Sequence, residues 1–209
     1  MLILDSDDKL TEDAIETILT DWPNYQKNQK IAGLSYNRKL INLEETGGKL
    51  KVSPYISNHI ACRYNEGYYA DRVEVYRVDV MRKFPFPVFE GERFLSEAIV
   101  WNQIAYEYDT VYIDKYIYIC EYQLDGLTQS SQKTRIKSPI GSMENYRIMM
   151  KKPFRTKLRV KYAILYNTFA NFAHVSFSNR LKDTSRFLVV ITKPLGDFVY
   201  RKWRKKYLG

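Results

Sequence analysis

Residues 110–122 limit the folds open to this chain more than any other stretch. Thr110-Val111-Tyr112-Ile113 and Tyr116-Ile117-Tyr118-Ile119-Cys120-Glu121-Tyr122 are dense in β-branched and aromatic side chains, which suit a pleated, half-buried surface. They read as two strands. From residue 140 onward the pattern is helical, in three pieces. Between these limits the two patterns alternate. Residues 11–22 read as a helix, with Ile15, Ile18, Leu19 and Trp22 at helical spacing and Pro23 at its end. Residues 31–36 and 73–77 read as strands, 55–63 as a short helix and 78–83 as a helical turn. Gly47-Gly48 marks a turn between 41–43 and 50–52, in the manner of a hairpin. Residues 94–107 read as an amphipathic helix with Phe94, Ala98, Trp101, Ile104 and Ala105 on one side. The class is α/β: a mixed sheet followed by a helical C-terminal region.

Chemistry concentrates at the start. Leu4-Asp5-Ser6-Asp7-Asp8 places three carboxylates within four residues, directly after Met1-Leu2-Ile3. The apolar run reads as a strand over residues 2–5, and carboxylates at a strand's carboxyl end suit a hard divalent cation that shares its sphere with phosphates. The alternative is helix capping, because Asp is a favoured N-cap and Thr11-Glu12-Asp13 also opens a helix.

Four stretches in order resemble the glycosyltransferase family 2 enzymes. Leu4-Asp5-Ser6-Asp7-Asp8 looks like the family's DXD-type motif. Ile31-Ala32-Gly33-Leu34-Ser35 looks like the strand that follows it. Val75 to Pro87, with Glu90-Gly91-Glu92-Arg93-Phe94, is similar to the acceptor-side segment of bacterial members. Ser96-Glu97-Ala98-Ile99-Val100-Trp101 looks like the segment that carries the catalytic base. The likeness runs from residue 1 to about residue 150 and implies a partial GT-A, Rossmann-like domain over 1–138 with a helical extension over 139–209. In the family a nucleotide-binding half precedes the acidic motif. Here Met1 stands four residues before Asp5, so the expectation is a chain that lacks that half and binds donor weakly, being a fragment, the product of a mis-started reading frame or the partner of a separate chain that supplies it.

The implied reaction is transfer of a sugar from a nucleotide diphosphate sugar to a glycan or lipid-linked acceptor. Asp7 and Asp8 are the expected ligands of Mg²⁺ or Mn²⁺, with Asp7 also contacting the donor and Asp5 supporting from behind. Glu97 is the expected base, taking the proton of the acceptor hydroxyl. Many members have Glu-Asp there; here Ala98 follows, which leaves Glu97 as the nearest carboxylate, with Glu90 and Glu92 as fallbacks and helix capping as the alternative role. Trp101, one turn beyond, is a candidate for stacking on the acceptor or else a core residue. Asp71 falls where relatives often carry Gly-Asp. Arg135 and Lys137, after a polar loop from Gly126 to Lys133, are candidates to neutralise the departing diphosphate.

The balance of 33 basic against 24 acidic residues, a net +9, favours anionic partners. No recognised nucleic-acid motif appears, so nucleic acid is not an expected partner. Cys62 and Cys120 are far apart and fit reduced thiols. The opening residues lack the pattern of a signal peptide, and no apolar run is long enough to span a bilayer. Residues 198–208 mix Tyr200, Trp203 and Tyr207 with five basic residues, which predicts an anionic membrane surface as partner, the three aromatics sharing the buried face. The expected location is cytoplasmic, peripheral on the inner face of the plasma membrane. The rival reading is a non-catalytic remnant that binds a membrane or a partner chain.

Overall fold

The computed structural model describes residues 1–209 except 42–44, 47–49, 121–130 and 183–184. The chain is α/β and divides into two compact units, Met1–Pro85 with Gln103–Leu124, and Phe86–Asn102 with Asp125–Gly209.

The first unit is built on a mixed sheet. Its strands are β1 (Lys9–Leu10), β2 (Ile31–Leu40), β3 (Glu45–Thr46), β4 (Tyr55–Ser57), β5 (Arg72–Tyr76) and β6 (Asp109–Cys120), with helices α1 (Ala14–Asp21) and α2 (Val78–Lys83). β2 and β6 run parallel at the centre. β5 and β3 pair antiparallel with β2, while β4 and β1 pair antiparallel with β6. The two strands expected at 110–113 and 116–122 are one strand. Tyr36 faces Ile113 and Asn37 faces Tyr116, so Asp114 and Lys115 form a bulge. The polar pair that interrupts the hydrophobic pattern is therefore the extra residue step that a bulge needs. It sends Lys115 to Asp21 at 2.7 Å and Asp114 toward Arg72 at 3.4 Å.

Gly33, in β2, is required by close approach. A Cβ there would stand 2.1 Å from the Val75 carbonyl oxygen of β5. The core joins Ile31, Leu34, Tyr36, Val73, Val111 and Ile117 with Ala14 of α1, and Ile18 and Trp22 pack at its margin. The helix expected at 11–22 begins only at Ala14, since Thr11 is held by the sheet: its amide donates to the Ile117 carbonyl at 3.0 Å.

Residues 2–5 do not form the expected strand. Only Leu2 bridges, to Val75 on the outer edge of β5, with the Tyr76 amide donating to the Met1 carbonyl at 2.9 Å. Among the described residues no strand pairs with the other side of that segment. The helix expected at 55–63 is instead strand β4 followed by a π-helical segment, Ile60–Asn65. The glycine turn at 47–48 lies outside the described residues.

The second unit is helical. The helix expected at 94–107 is α3 (Ala98–Ile104), and the division between the units passes through it. Then come α4 (Ser131–Lys137), α5 (Pro139–Met149), α6 (Thr156–Phe172), α7 (Phe177–Arg180) and α8 (Arg186–Tyr207). An aromatic seam runs through the unit: Tyr146 stacks on Tyr162 and Phe169, Phe169 meets Trp203, and Phe172 meets Tyr200 at 4.7 Å. α6 and α8 touch closely at Gly196, where a Cβ would stand 2.5 Å from that of Asn167. Asn167, fully buried, donates to the Val189 carbonyl and the Thr192 hydroxyl of α8. Among the described residues no helix is long and apolar enough to cross a membrane.

Candidate functional site

The acidic motif forms a turn, with the Asp8 amide donating to the Asp5 carbonyl at 3.2 Å. None of its carboxylates lies in the first turn of a helix, because β1 intervenes before α1 begins at Ala14. Helix capping, the alternative role for this cluster, is therefore excluded for Asp5, Asp7 and Asp8. The turn is tied to β6 by Tyr118, whose phenol oxygen accepts from the Asp5 amide at 3.2 Å and donates to Asp8 Oδ2 at 2.8 Å. Tyr118 is fully buried. Burial holds its hydroxyl well above the usual tyrosine range, so it remains a donor to Asp8. Asp5 and Asp7 are exposed and Asp8 is half-buried.

Three further groups gather at the same end of the sheet. The Arg38 guanidinium lies 4.6 Å from the centre of the Tyr118 ring. Its Nε donates to the Arg72 carbonyl at 3.0 Å, and its terminal nitrogen stands 3.8 Å from Asp71. The Cys120 thiol is pushed up by burial and by the Asp8 charge, against the lowering influence of Arg38. Arg38 and Tyr118 sit near the carboxyl ends of the parallel strands β2 and β6, and Asp71 directly precedes β5, whose Arg72 pairs with Asn37. Ligands of open α/β sheets bind outside the carboxyl ends of the strands. The fold thus brings Asp5, Asp7, Asp8 and Asp71 to one end of the sheet around Tyr118 and Arg38.

Among the described residues no group of three or more His, Cys, Asp or Glu side chains is arranged to cage a metal ion. Two adjacent carboxylates at an exposed turn instead fit a hard cation that keeps several waters and takes its remaining ligands from phosphate.

Beneath this surface lies a polar network that sequence reasoning missed. Arg72 is 4% exposed. It donates to the Ser35 hydroxyl and carbonyl, to Asn37 Oδ1, to the Ile113 carbonyl and to Asp114. Asp114 also accepts from Asn37 Nδ2 at 3.2 Å and from the Leu50 amide at 2.8 Å. The only sequence signal was the Asp114-Lys115 interruption of the strand pattern. Nearby, a cavity of about 500 Å³ is lined by Lys51, Tyr55, Cys62, Glu66 and Tyr68 among others, with the Tyr55 hydroxyl donating to Glu66 at 3.0 Å.

His59 borders the π-helical segment, 5% exposed, its Nε2 without a hydrogen-bond partner. Burial, helped by the Arg63 charge, depresses its pKa to about 3. The unfolded chain takes up this proton below the ordinary histidine pKa and the folded chain does not, so stability falls as pH falls through that window. Between pH 7 and pH 5 this costs about 2 kcal/mol. The expected result is a melting temperature that drops over this range in the native chain and drops much less in His59→Leu; equal slopes would refute it.

In the second unit, Glu97 is half-buried and immediately precedes α3, with its carbonyl accepting from the Val100 and Trp101 amides. Trp101 is 6% exposed and stands edge-on to Phe86 at 5.8 Å. Glu92 is committed elsewhere. Its two carboxylate oxygens accept from the Ile140 and Gly141 amides at the start of α5, where negative charge is favoured. Glu90 lies in the irregular segment before it. Arg135 and Lys137 lie on helix α4, which also takes in the end of the polar loop expected over Gly126 to Lys133. Ile136 anchors that helix in the interior, and Arg135 donates to the Tyr146 hydroxyl at 3.2 Å with its guanidinium 6.0 Å from the Phe94 ring. Lys137 is exposed.

Compared with known proteins, the chain matches no family model, and no curated protein and no solved structure is significantly similar to it.

Proposed function

We propose that the chain is a glycosyltransferase, or a fragment of one, that transfers a sugar from a nucleotide diphosphate sugar to a glycan or lipid-linked acceptor. The observation that carries this reading is the acidic turn: Asp5, Asp7 and Asp8 cap no helix, yet Tyr118 moors them beside the carboxyl ends of the parallel strands. The ordered likeness to family 2 glycosyltransferases, of which this turn is the first stretch, is the ground for the reaction named. Asp7 and Asp8 would hold Mg²⁺ or Mn²⁺, which when bound supplies positive charge to the leaving diphosphate. Asp5 braces the turn through its amide, and Asp71 balances Arg38.

Glu97 takes the proton of the attacking hydroxyl. Lys137 and Arg135 offer positive charge to phosphate, Lys137 as an exposed cation and Arg135 from its place on Tyr146. The reaction belongs at the inner face of the plasma membrane, where lipid-linked acceptors are held, with the chain bound peripherally from the cytoplasm.

The test is release of nucleoside diphosphate from a panel of nucleotide sugars in the presence of Mn²⁺ and acceptor glycans. Tyr118→Phe removes the hydroxyl that orients Asp8 while keeping the buried ring. It is expected to lower affinity for Mn²⁺ by about tenfold or more, as loss of an outer-shell partner does. Turnover by the native chain that needs no divalent ion and is untouched by Tyr118→Phe would overturn the assignment of this turn.

A further inference from the structure

Helix α8 is two-faced along its whole length. Its inner face is Val189, Thr192 and Gly196, all buried, continued by Tyr200 and Trp203 against Phe172 and Phe169 of α6. The expectation that Tyr200, Trp203 and Tyr207 form a membrane-dipping face is therefore corrected, since the rings of Tyr200 and Trp203 are engaged in packing the unit.

The outer face carries a different apolar set. Phe187 is 75% exposed, Val190 50%, Ile191 49%, Leu195 55% and Phe198 66%. Their three- and four-residue spacing lines them up over three helical turns, a stripe about 17 Å long. Scattered exposed hydrophobes need no explanation, but a contiguous stripe marks an interaction surface. Charge indicates what covers it. The same line continues into exposed Arg201, Lys202 and Lys205, flanked by Arg204 and Lys206. α8 holds seven basic residues and one acidic residue, Asp197, and Asp197 is already engaged by Lys193 and Asn171. A second copy of the chain would bring the same cations to the contact. A surface of anionic headgroups would neutralise them.

We propose that α8 lies in the interface of an anionic membrane, with Phe187, Ile191, Leu195 and Phe198 among the acyl chains and the cations of its last two turns on lipid phosphates. A helix with an apolar stripe and a basic end lies in the plane of the interface. The burial of Val189, Thr192 and Gly196 leaves this stripe as the face α8 presents outward. The inference stands apart from the glycosyl-transfer reading, because it uses only the faces of α8.

The experiment is co-sedimentation of the full chain with vesicles of phosphatidylglycerol and phosphatidylcholine, against vesicles of phosphatidylcholine alone. Two variants are compared, Phe187→Ser/Ile191→Ser/Phe198→Ser and Lys202→Glu/Lys205→Glu. Both change only exposed positions, and unchanged thermal melting confirms that the fold is kept. The native chain is expected to bind the anionic vesicles and not the neutral ones. Each variant is expected to bind about tenfold or more weakly. Added salt should weaken native binding by screening. Three results would overturn the proposal. One is absence of native binding to anionic vesicles. Another is native-like binding by the apolar variant. The third is a native dimer in solution that the apolar variant converts to monomer, which would assign the stripe to a second copy.

Discussion

Arg72→Met is expected to lower the stability of the chain by about 3–5 kcal/mol, the usual cost of removing one partner from a buried charged network. The reason is the geometry of the donors. Arg72 satisfies groups on β2 and β6 at once: the Ser35 and Ile113 carbonyls, the Ser35 hydroxyl, Asn37 and Asp114. Methionine fills the volume but leaves the half-buried Asp114 with its charge only partly met. Adding Asp114→Leu should recover a good part of the loss, since an apolar pair of similar size often replaces a buried ion pair without penalty. Denaturant titration of the three proteins measures both quantities. A loss below about 1 kcal/mol for the single variant would place Arg72 among ordinary surface pairs and contradict the network's role. The effect should also reach the acidic turn, because Arg38, which lies on Tyr118, donates to the Arg72 carbonyl.

Glu97→Gln is expected to slow acceptor-dependent transfer about a hundredfold, as loss of a general base does, while leaving donor binding nearly intact. Glu92→Gln serves as its control and should fail differently. The carboxylate of Glu92 fastens the start of α5 through two backbone amides, so its neutral replacement should cost about 1 kcal/mol of stability and little turnover. Steady-state rates and thermal melts on the two variants separate these outcomes. If Glu92→Gln costs turnover at unchanged stability and Glu97→Gln does not, the base has been misplaced.

Much of the sheet was legible in the sequence because its strands are marked by β-branched and aromatic runs. β2, β5 and β6 fall where those runs fall. The misses have physical causes. A bulge looks like a strand break in a one-dimensional pattern, which is why Asp114-Lys115 seemed to separate two strands. The apolar run at residues 2–5 has strand composition, but only Leu2 meets a neighbour, on the edge of β5. Tyr55–Ser57 became a strand by pairing with distant residues 110–112, a contact that no local propensity encodes. The same limit applied to the site. The acidic cluster announced itself, but Tyr118, which holds it from 110 positions along the chain, and Arg38, which lies on the Tyr118 ring, carry no local mark. On α8 the helical spacing of Tyr200 and Trp203 was correct, but spacing alone does not say which of two apolar faces turns inward. The contacts with Phe172 and Phe169 decide that.

The measurement that bears most directly on the central claim is Mn²⁺ binding followed by electron paramagnetic resonance, with and without a nucleotide diphosphate sugar. The native chain should bind Mn²⁺, and nucleotide sugar added in large excess, as weak donor binding requires, should increase the bound fraction, because phosphate oxygens complete the sphere left open by two carboxylates. Asp7→Asn/Asp8→Asn should abolish both effects with the fold kept, as Asp7 is exposed and an asparagine in place of Asp8 keeps an oxygen that can accept from Tyr118. Mn²⁺ that stays free in the native protein with nucleotide sugar present, or that binds the double variant equally well, would contradict the reading of the acidic turn as the donor site.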